Sequence, residues 1–263
     1  MATTVYDHGA FCWADLATPD PDGAKTFYAA FFGWGREDRD MGEDGVYTLL
    51  DLNGQYVAGM MTLCEEDKSH GVPPHWIAHV AVDSCDETAA RARDLGGTVV
   101  TEPFDIPDAG RMAVLRDPQG AFIPLWQRDS AHPGAAQLEG VPGSVCWTEL
   151  ATTDDAAAQS FYTALFDWKA KDSSIPGVSY TEFLVGDRSI AGMLQMTEEW
   201  GDAPPHWLVY FTVTDCDQAA AQVEELGGSV VKPPTDVPDV GRFAVFADPQ
   251  GAVFAVIAMS GPQ

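Results

Sequence analysis

The chain repeats itself, and that repeat limits the fold more than any bulk property does. The stretch "FCWADLATPDPDGAKTFYAAFFGW" (11–34) returns as "VCWTELATTDDAAAQSFYTALFDW" (145–168), with Trp13 answered by Trp147. "PPHWIAHVAVDSCDETAARARDLGGTVV" (73–100) returns as "PPHWLVYFTVTDCDQAAAQVEELGGSVV" (204–231), so that His75 is answered by His206. "IPDAGRMAVLRDPQGAFI" (106–123) returns as "VPDVGRFAVFADPQGAVF" (237–254). A period of about 130 residues is too long for a solenoid repeat and suits a domain. The Pro/Gly/Ala-rich stretch at 128–144 reads as a connection between the copies. The sequence therefore predicts one domain over 1–130, a linker over 131–142 and a second domain over 143–263.

Each copy divides again. A short apolar strand such as "CWADLAT" or "WIAHVAV" is followed by an Asp-bearing turn and then a helix. Asp20 before Pro21 is a good helix N-cap with proline at the first helical position. Ala24, Phe27, Tyr28, Phe31 and Phe32 follow at helical spacing, and Gly33 or the Gly96-Gly97 pair stops the helix. Three short alternating runs come next. The pattern β-α-β-β-β thus occurs four times, in roughly 9–67, 72–128, 143–199 and 204–259. The acidic segments "CEEDKSHG" and "TEEWGDA" read as loops. A module of about 60 residues is marginal alone, so modules are expected to pair around a shared cavity, either first with second and third with fourth or first with fourth and second with third.

Composition excludes several functions. The net charge is −26, with 40 acidic residues against 14 basic ones. Nucleic acid and anionic membranes would be repelled. No apolar run approaches the roughly 18 residues that a spanning helix needs. The first residues lack the basic-then-apolar pattern of a secretory signal. The five cysteines (Cys12, Cys64, Cys85, Cys146, Cys216) are odd in number and form no C-x-x-C, which fits a reducing, cytoplasmic setting.

The "L-A-T-x-D…F-Y…F-x-W" opening, the "LGG" after the second helix and the "D-P-Q-G-A" before the last strand resemble the vicinal oxygen chelate superfamily. That family includes glyoxalase I, extradiol dioxygenases, and bleomycin- and fosfomycin-resistance proteins. The chain is similar to its four-module actinobacterial type, some members of which are encoded beside antibiotic-biosynthesis genes. The resemblance covers nearly the whole chain. It implies an α+β fold of four βαβββ modules forming two cup-shaped, eight-stranded mixed sheets, with helices outside and a ligand in each cup. It also implies metal-ligand positions early in a module's first strand and on its last strand. Those positions hold Trp13, Ile77, Trp147 and Leu208, then Pro124 and Ala255, and none offers a donor atom to a divalent ion. No cofactor is therefore expected.

Strand alternation selects the residues that share the open face. Phe11, Trp13 and Asp15 lie together, as do Val145, Trp147 and Glu149. His75, Ile77 and His79 form a second set, answered by His206, Leu208 and Tyr210. Phe122, Pro124 and Trp126 share a face on a last strand, as do Val253, Ala255 and Ile257. Candidate catalytic groups are Asp15, Glu149, His79 and Tyr210. Candidate ligand-binding groups are Phe11, Trp13, His75, Phe122, Trp126, Trp147 and His206. Scaffold readings stand beside these. His75 and His206 after Pro-Pro suit a loop-capping role, Trp76 and Trp207 have core parity, and Arg111 or Arg242 is a plausible structural partner for the acids. Asp15, His75 and His79 form one alternative metal set, weakened because Tyr210 replaces His79 in the second copy.

Two functions lead, and a third, in which one cup is vestigial and the protein mainly binds another protein, stands behind them. One is a metal-independent protein, monomeric or dimeric, that binds a small aromatic or cationic natural product for resistance or in secondary metabolism. The other is an enzyme: a lyase, isomerase or oxygenase that uses either a metal or the Asp/Glu and His/Tyr groups in acid–base chemistry.

Overall fold

The computed structural model describes residues 6–42, 45–107, 109–128, 138, 140–173 and 179–260. Most of the expected linker at 131–142 lies outside them. The first copy runs β1 (Phe11–Thr18), α1 (Pro21–Phe32), β2 (Gly35–Asp40), β3 (Val46–Leu52), β4 (Gln55–Thr62) and the short α2 (Glu65–Ser69). It continues with β5 (His75–Ala81), α3 (Cys85–Asp94), β6 (Thr98–Ile106), β7 (Gly110–Arg116) and β8 (Phe122–Arg128). The second copy begins with β9 (Val145–Thr152), α4 (Asp155–Phe166), β10 (Lys169–Ser173), β11 (Tyr180–Val185) and β12 (Arg188–Gln195). It ends with β13 (His206–Thr212), α5 (Cys216–Glu225), β14 (Ser229–Val237), β15 (Gly241–Ala247) and β16 (Val253–Met259).

These strands form two eight-stranded mixed sheets, ordered β2-β3-β4-β1-β5-β8-β7-β6 and β10-β11-β12-β9-β13-β16-β15-β14. Within each module the last strand returns parallel to the first: β4 to β1, β8 to β5, β12 to β9 and β16 to β13. A parallel return needs a crossover, and the module's helix supplies it. Asp20 caps α1 by accepting from the Gly23 N–H at 3.1 Å, and Gly33 ends it in the left-handed region at φ 74°. Two segments read as loops contain a turn of helix instead, α2 and a 3-10 turn at Glu198–Trp200. In α2, Lys68 reaches Glu65 one turn back, and Cys64 Sγ accepts from the Asp67 N–H. No helix among the described residues is long and apolar enough to cross a membrane.

Compactness groups the modules differently from chain order. One unit takes the described residues of Ala14–Ile77, Ala135–Cys146 and Val209–Gln263; the other takes those of Met1–Trp13, Ala78–Gly134 and Trp147–Leu208. In the first unit α1 packs among Trp34, Trp76, Phe211, Phe246 and Phe254, with Tyr28 and Phe254 ring centroids 5.7 Å apart. The repeated sequence words meet in this core. Trp76 of "PPHW" donates its indole N–H to the Tyr28 hydroxyl of "FY" at 2.8 Å, and Tyr28 donates to Asp248 of "DPQGA" at 3.0 Å. Asp248 also accepts from the N–H groups of Gln250 and Ala252, both at 2.9 Å. In the other unit Trp207, Tyr162 and Asp117 repeat the chain at 3.0 and 2.8 Å, and Asp117 accepts three backbone N–H groups. The tryptophan closing each "F-x-W" binds a backbone carbonyl, Trp34 that of Gly143 and Trp168 that of Gly9. Most of the repeat signature is thus a set of buried hydrogen bonds.

Candidate functional site

Asp15 is 4 % exposed in mid-strand, a placement that needs a polar partner. The Tyr47 hydroxyl supplies one, donating to Asp15 Oδ1 at 2.7 Å. The two residues are not on neighbouring strands. Strand β4 runs between β1 and β3 and sets Gly59 opposite Asp15 on one side and opposite Leu49 on the other. Tyr47 lies two residues before Leu49, on the same face. A methyl group on Gly59 would overlap both the Tyr47 hydroxyl and Asp15 Oδ1. The missing side chain is what lets the phenol cross the middle strand.

The second copy builds the same arrangement in the other unit. Glu149 on β9 is level with Gly192 on β12, which is level with Glu182 on β11. Tyr180, two residues before Glu182, hydrogen-bonds Glu149, and a methyl on Gly192 would overlap its hydroxyl. Burial, and then the Glu149 charge, hold the Tyr180 hydroxyl well above its ordinary range, so it stays a proton donor at neutral pH. Trp147 adds a link by donating its indole N–H to the Tyr180 oxygen at 3.0 Å. Glu182 contributes a second carboxylate, held below the usual range by the Ser189 hydroxyl first and by Lys171 among lesser causes.

These partners correct the expected role of the arginines. Arg111 binds Asp86 and Asp105, and Arg242 binds Asp217 and Asp236, each with contacts of 2.7 to 3.0 Å. Each is held by one carboxylate in the first turn of a helix and one on a strand of its own module. The acids are served by tyrosines instead.

The other candidate residues fall in different places. His75 Nδ1 hydrogen-bonds the Pro73 carbonyl at 2.8 Å, and His206 Nδ1 bonds that of Pro204 at the same distance. A carbonyl only accepts, so that ring nitrogen carries the proton, and both histidines close the turn before their strand. His79 is 4 % exposed and stands edge-on to Trp126, with centroids 6.5 Å apart. In the second copy Tyr210 lies beside Phe243 at 6.3 Å, and Lys232 Nζ stands 5.6 Å from the Phe243 ring. Phe122 is exposed at the start of β8. Phe11, expected to share the face of Asp15, packs on Trp207 and Trp168 at 5.2 and 6.0 Å.

Residue chemistry also decides whether the fold's usual metal fits. The implied ligand positions carry indole, aliphatic and proline side chains, and Pro124 and Ala255 are buried. Among the described residues, no group of three or more His, Cys, Asp and Glu side chains is placed to hold a metal ion. The alternative set of Asp15, His75 and His79 is not assembled as one. The positions implied by the resemblance thus offer no lone pair to a divalent ion.

Tyr47, Tyr180, Gly59, Gly192 and Glu182 are not among the candidate site residues legible from strand alternation. A signal for the first four was present: Tyr47 and Gly59 recur as Tyr180 and Gly192 with one common displacement.

Fold and sequence together define the class. Residues 9–125 and 144–256 each match the glyoxalase/bleomycin resistance protein/dioxygenase superfamily, and the chain belongs to that family. It is 35% identical over 266 residues to the anthracycline biosynthesis protein DnrV of Streptomyces peucetius, covering 97% of this chain and 95% of that protein. It is 39% identical over 254 residues to the Mycobacterium tuberculosis protein named "Putative glyoxylase CFP32", covering 96% of this chain and 95% of that one. Among solved structures, the Mn(II)-bound glyoxalase from Novosphingobium aromaticivorans superposes with a TM-score of 0.65 at 18% identity, over 96% of this chain and 83% of the other. At that identity the likeness is one of fold.

Proposed function

We propose that the protein binds a small aromatic or cationic natural product on the open faces of its sheets, without a metal, in resistance to or biosynthesis of such a compound. The observation that carries this reading is the carboxylate–tyrosine pair, built twice over a glycine. A carboxylate makes its strongest hydrogen bonds to cationic donors. Trp147 beside it offers a stacking surface. The negative charge of the chain favours the approach of cations. The likeness to an anthracycline biosynthesis protein supports a polycyclic aromatic ligand.

Tryptophan fluorescence tests this directly. An anthracycline bearing an amino sugar should quench the protein's emission saturably. Asp15→Asn and Glu149→Gln should each weaken binding by about 10- to 100-fold, the loss of roughly 1.5–3 kcal/mol expected for a hydrogen bond to a charged group. No quenching across a panel of cationic and polyketide compounds would remove the reading.

A catalytic reading has one observation in its favour: the Tyr180 phenol is hydrogen-bonded to the Glu149 carboxylate, which brings an acid and a base together in one place. Product formation from a bound compound, abolished in Tyr180→Phe with binding retained, would establish it. Elemental analysis of protein purified without a metal-binding tag separates a metal-dependent variant of that reading.

A further inference from the structure

We propose that the open face of the last module, β13 to β16, holds a subsite for an aromatic acid: the ring lies against Phe243, and Lys232 takes the carboxylate. The inference rests on the binding reading above. It goes beyond that reading by naming the ligand's ionised group and the residue that recognises it.

A bulge puts Lys232 on that face. Ala244 and Phe246 of β15 are wholly buried, so the half-buried Phe243 and Val245 that alternate with them turn to the open side. Val230 pairs with Phe246, and regular alternation would set Val231 against Val245. The register shifts instead, Lys232 takes the place opposite Val245, and Val231 is left 58 % exposed. The first copy makes the same shift: Val99 pairs with Leu115, Thr101 with Val114, and Val100 is 49 % exposed. Each copy thus exposes a valine in order to aim a polar residue at the open face, and such re-aiming is what bulges do beside functional sites. In the second copy that residue is a lysine, and Phe243 stands where the first copy has Met112.

The charge at Lys232 points to its ligand. The chain has 40 acidic residues against 14 basic ones, and Lys25, Arg91, Arg111 and Arg242 each hold a carboxylate. Among the described residues Lys232 holds none, and its Nζ stands instead 5.6 Å from the centre of the Phe243 ring. Asp236, on the same strand, is bound by Arg242 at 2.8 Å. The neighbouring positions of the face are apolar: Val245, Ala255 and Ile257. A cation without a carboxylate, beside a ring on an apolar face, offers a flat ligand one stacking surface and one positive charge. An aromatic carboxylate uses both. A neutral ring uses the surface alone, and an ammonium meets a like charge. Thr101 and Met112 occupy these places in the first copy, so the pair is particular to the second.

The test uses the full chain and isothermal titration calorimetry with two probes, anthraquinone-2-carboxylate and the uncharged anthraquinone-2-carboxamide. The wild type should bind the carboxylate more tightly by about tenfold, the worth of one hydrogen bond between charged groups. Lys232→Gln should abolish that preference and leave the amide's affinity unchanged, while Lys232→Arg should keep the preference. Lys232 is exposed on an edge strand, so neither substitution disturbs the core. A lysine that only braced the strand would move both probes together. Phe243→Leu should weaken both probes alike. A preference that survives Lys232→Gln, equal binding of the two probes by the wild type, or unchanged binding in Phe243→Leu overturns the subsite. If neither probe binds while the amino-sugar anthracycline does, the subsite falls and the binding reading stands. If none of the three binds, both are removed.

Discussion

Tyr28 and Tyr162 are each wholly buried between an indole donor and a carboxylate, so removing one hydroxyl strands two polar groups at once. Tyr28→Phe and Tyr162→Phe should each cost about 1–3 kcal/mol, read as a lower urea midpoint with an unchanged slope. The carboxylates of these chains also set a pH dependence. Burial raises Asp117 and Asp248 above the ordinary range in spite of their hydrogen bonds. Ionising them therefore opposes folding. Their contribution is present in full below the ordinary carboxylate value and is lost as pH rises through the raised folded value. Wild type should accordingly lose urea stability relative to Asp117→Asn and Asp248→Asn across that interval; a difference that grows in the opposite direction would contradict the assignment. At this scale the sequence was legible wherever residues repeat as words. "HW", "FY" and "DPQGA" stood out, although their joint role as one hydrogen-bonded chain depends on contacts between distant modules. The two acids were found by strand alternation. Tyr47 and Tyr180 were missed because alternation within one strand says nothing about a reach across two.

The elements followed local chemistry closely. Asp20, Pro21 and Gly33 bound α1 where cap and stop signals placed it, and Asp154 caps α4 in the same manner at 3.0 Å. Asp20→Ala should cost about 1 kcal/mol in thermal or urea unfolding, the usual worth of such a cap. Strands β6 and β14 carry Pro103 and the Pro233-Pro234 pair, and the register against β7 and β15 shifts across those positions. Both are edge strands, where a missing N–H and a bulge are tolerated. The one-turn helices were not legible, since five residues are too few for periodicity to declare itself. Phe11, grouped with Trp13 and Asp15 by alternation, packs on Trp168 and Trp207.

For the whole molecule, the structure has the two eight-stranded sheets that the resemblance implies, while the sequence left the order of module pairing open and the compact units join residues of both copies. Helix α1 of the first copy buries Phe27, Phe31 and Phe32 against Phe254 of the second copy's last strand. Residues 1–130 alone should therefore aggregate or self-associate, as judged by size-exclusion chromatography; a cooperative monomer would contradict the interleaved core. Phe254→Ala in the full chain should cost about 3–5 kcal/mol. That interlocking has an evolutionary corollary. Since Tyr28 leans on Asp248 and Tyr162 on Asp117, each duplicate is part of its sibling's interior, and neither can decay into a dispensable remnant even if its ligand chemistry lapses. Selection can then let the two sets of ligand-facing residues drift apart, as Asp15 and Glu149 already have, while holding both skeletons in common custody.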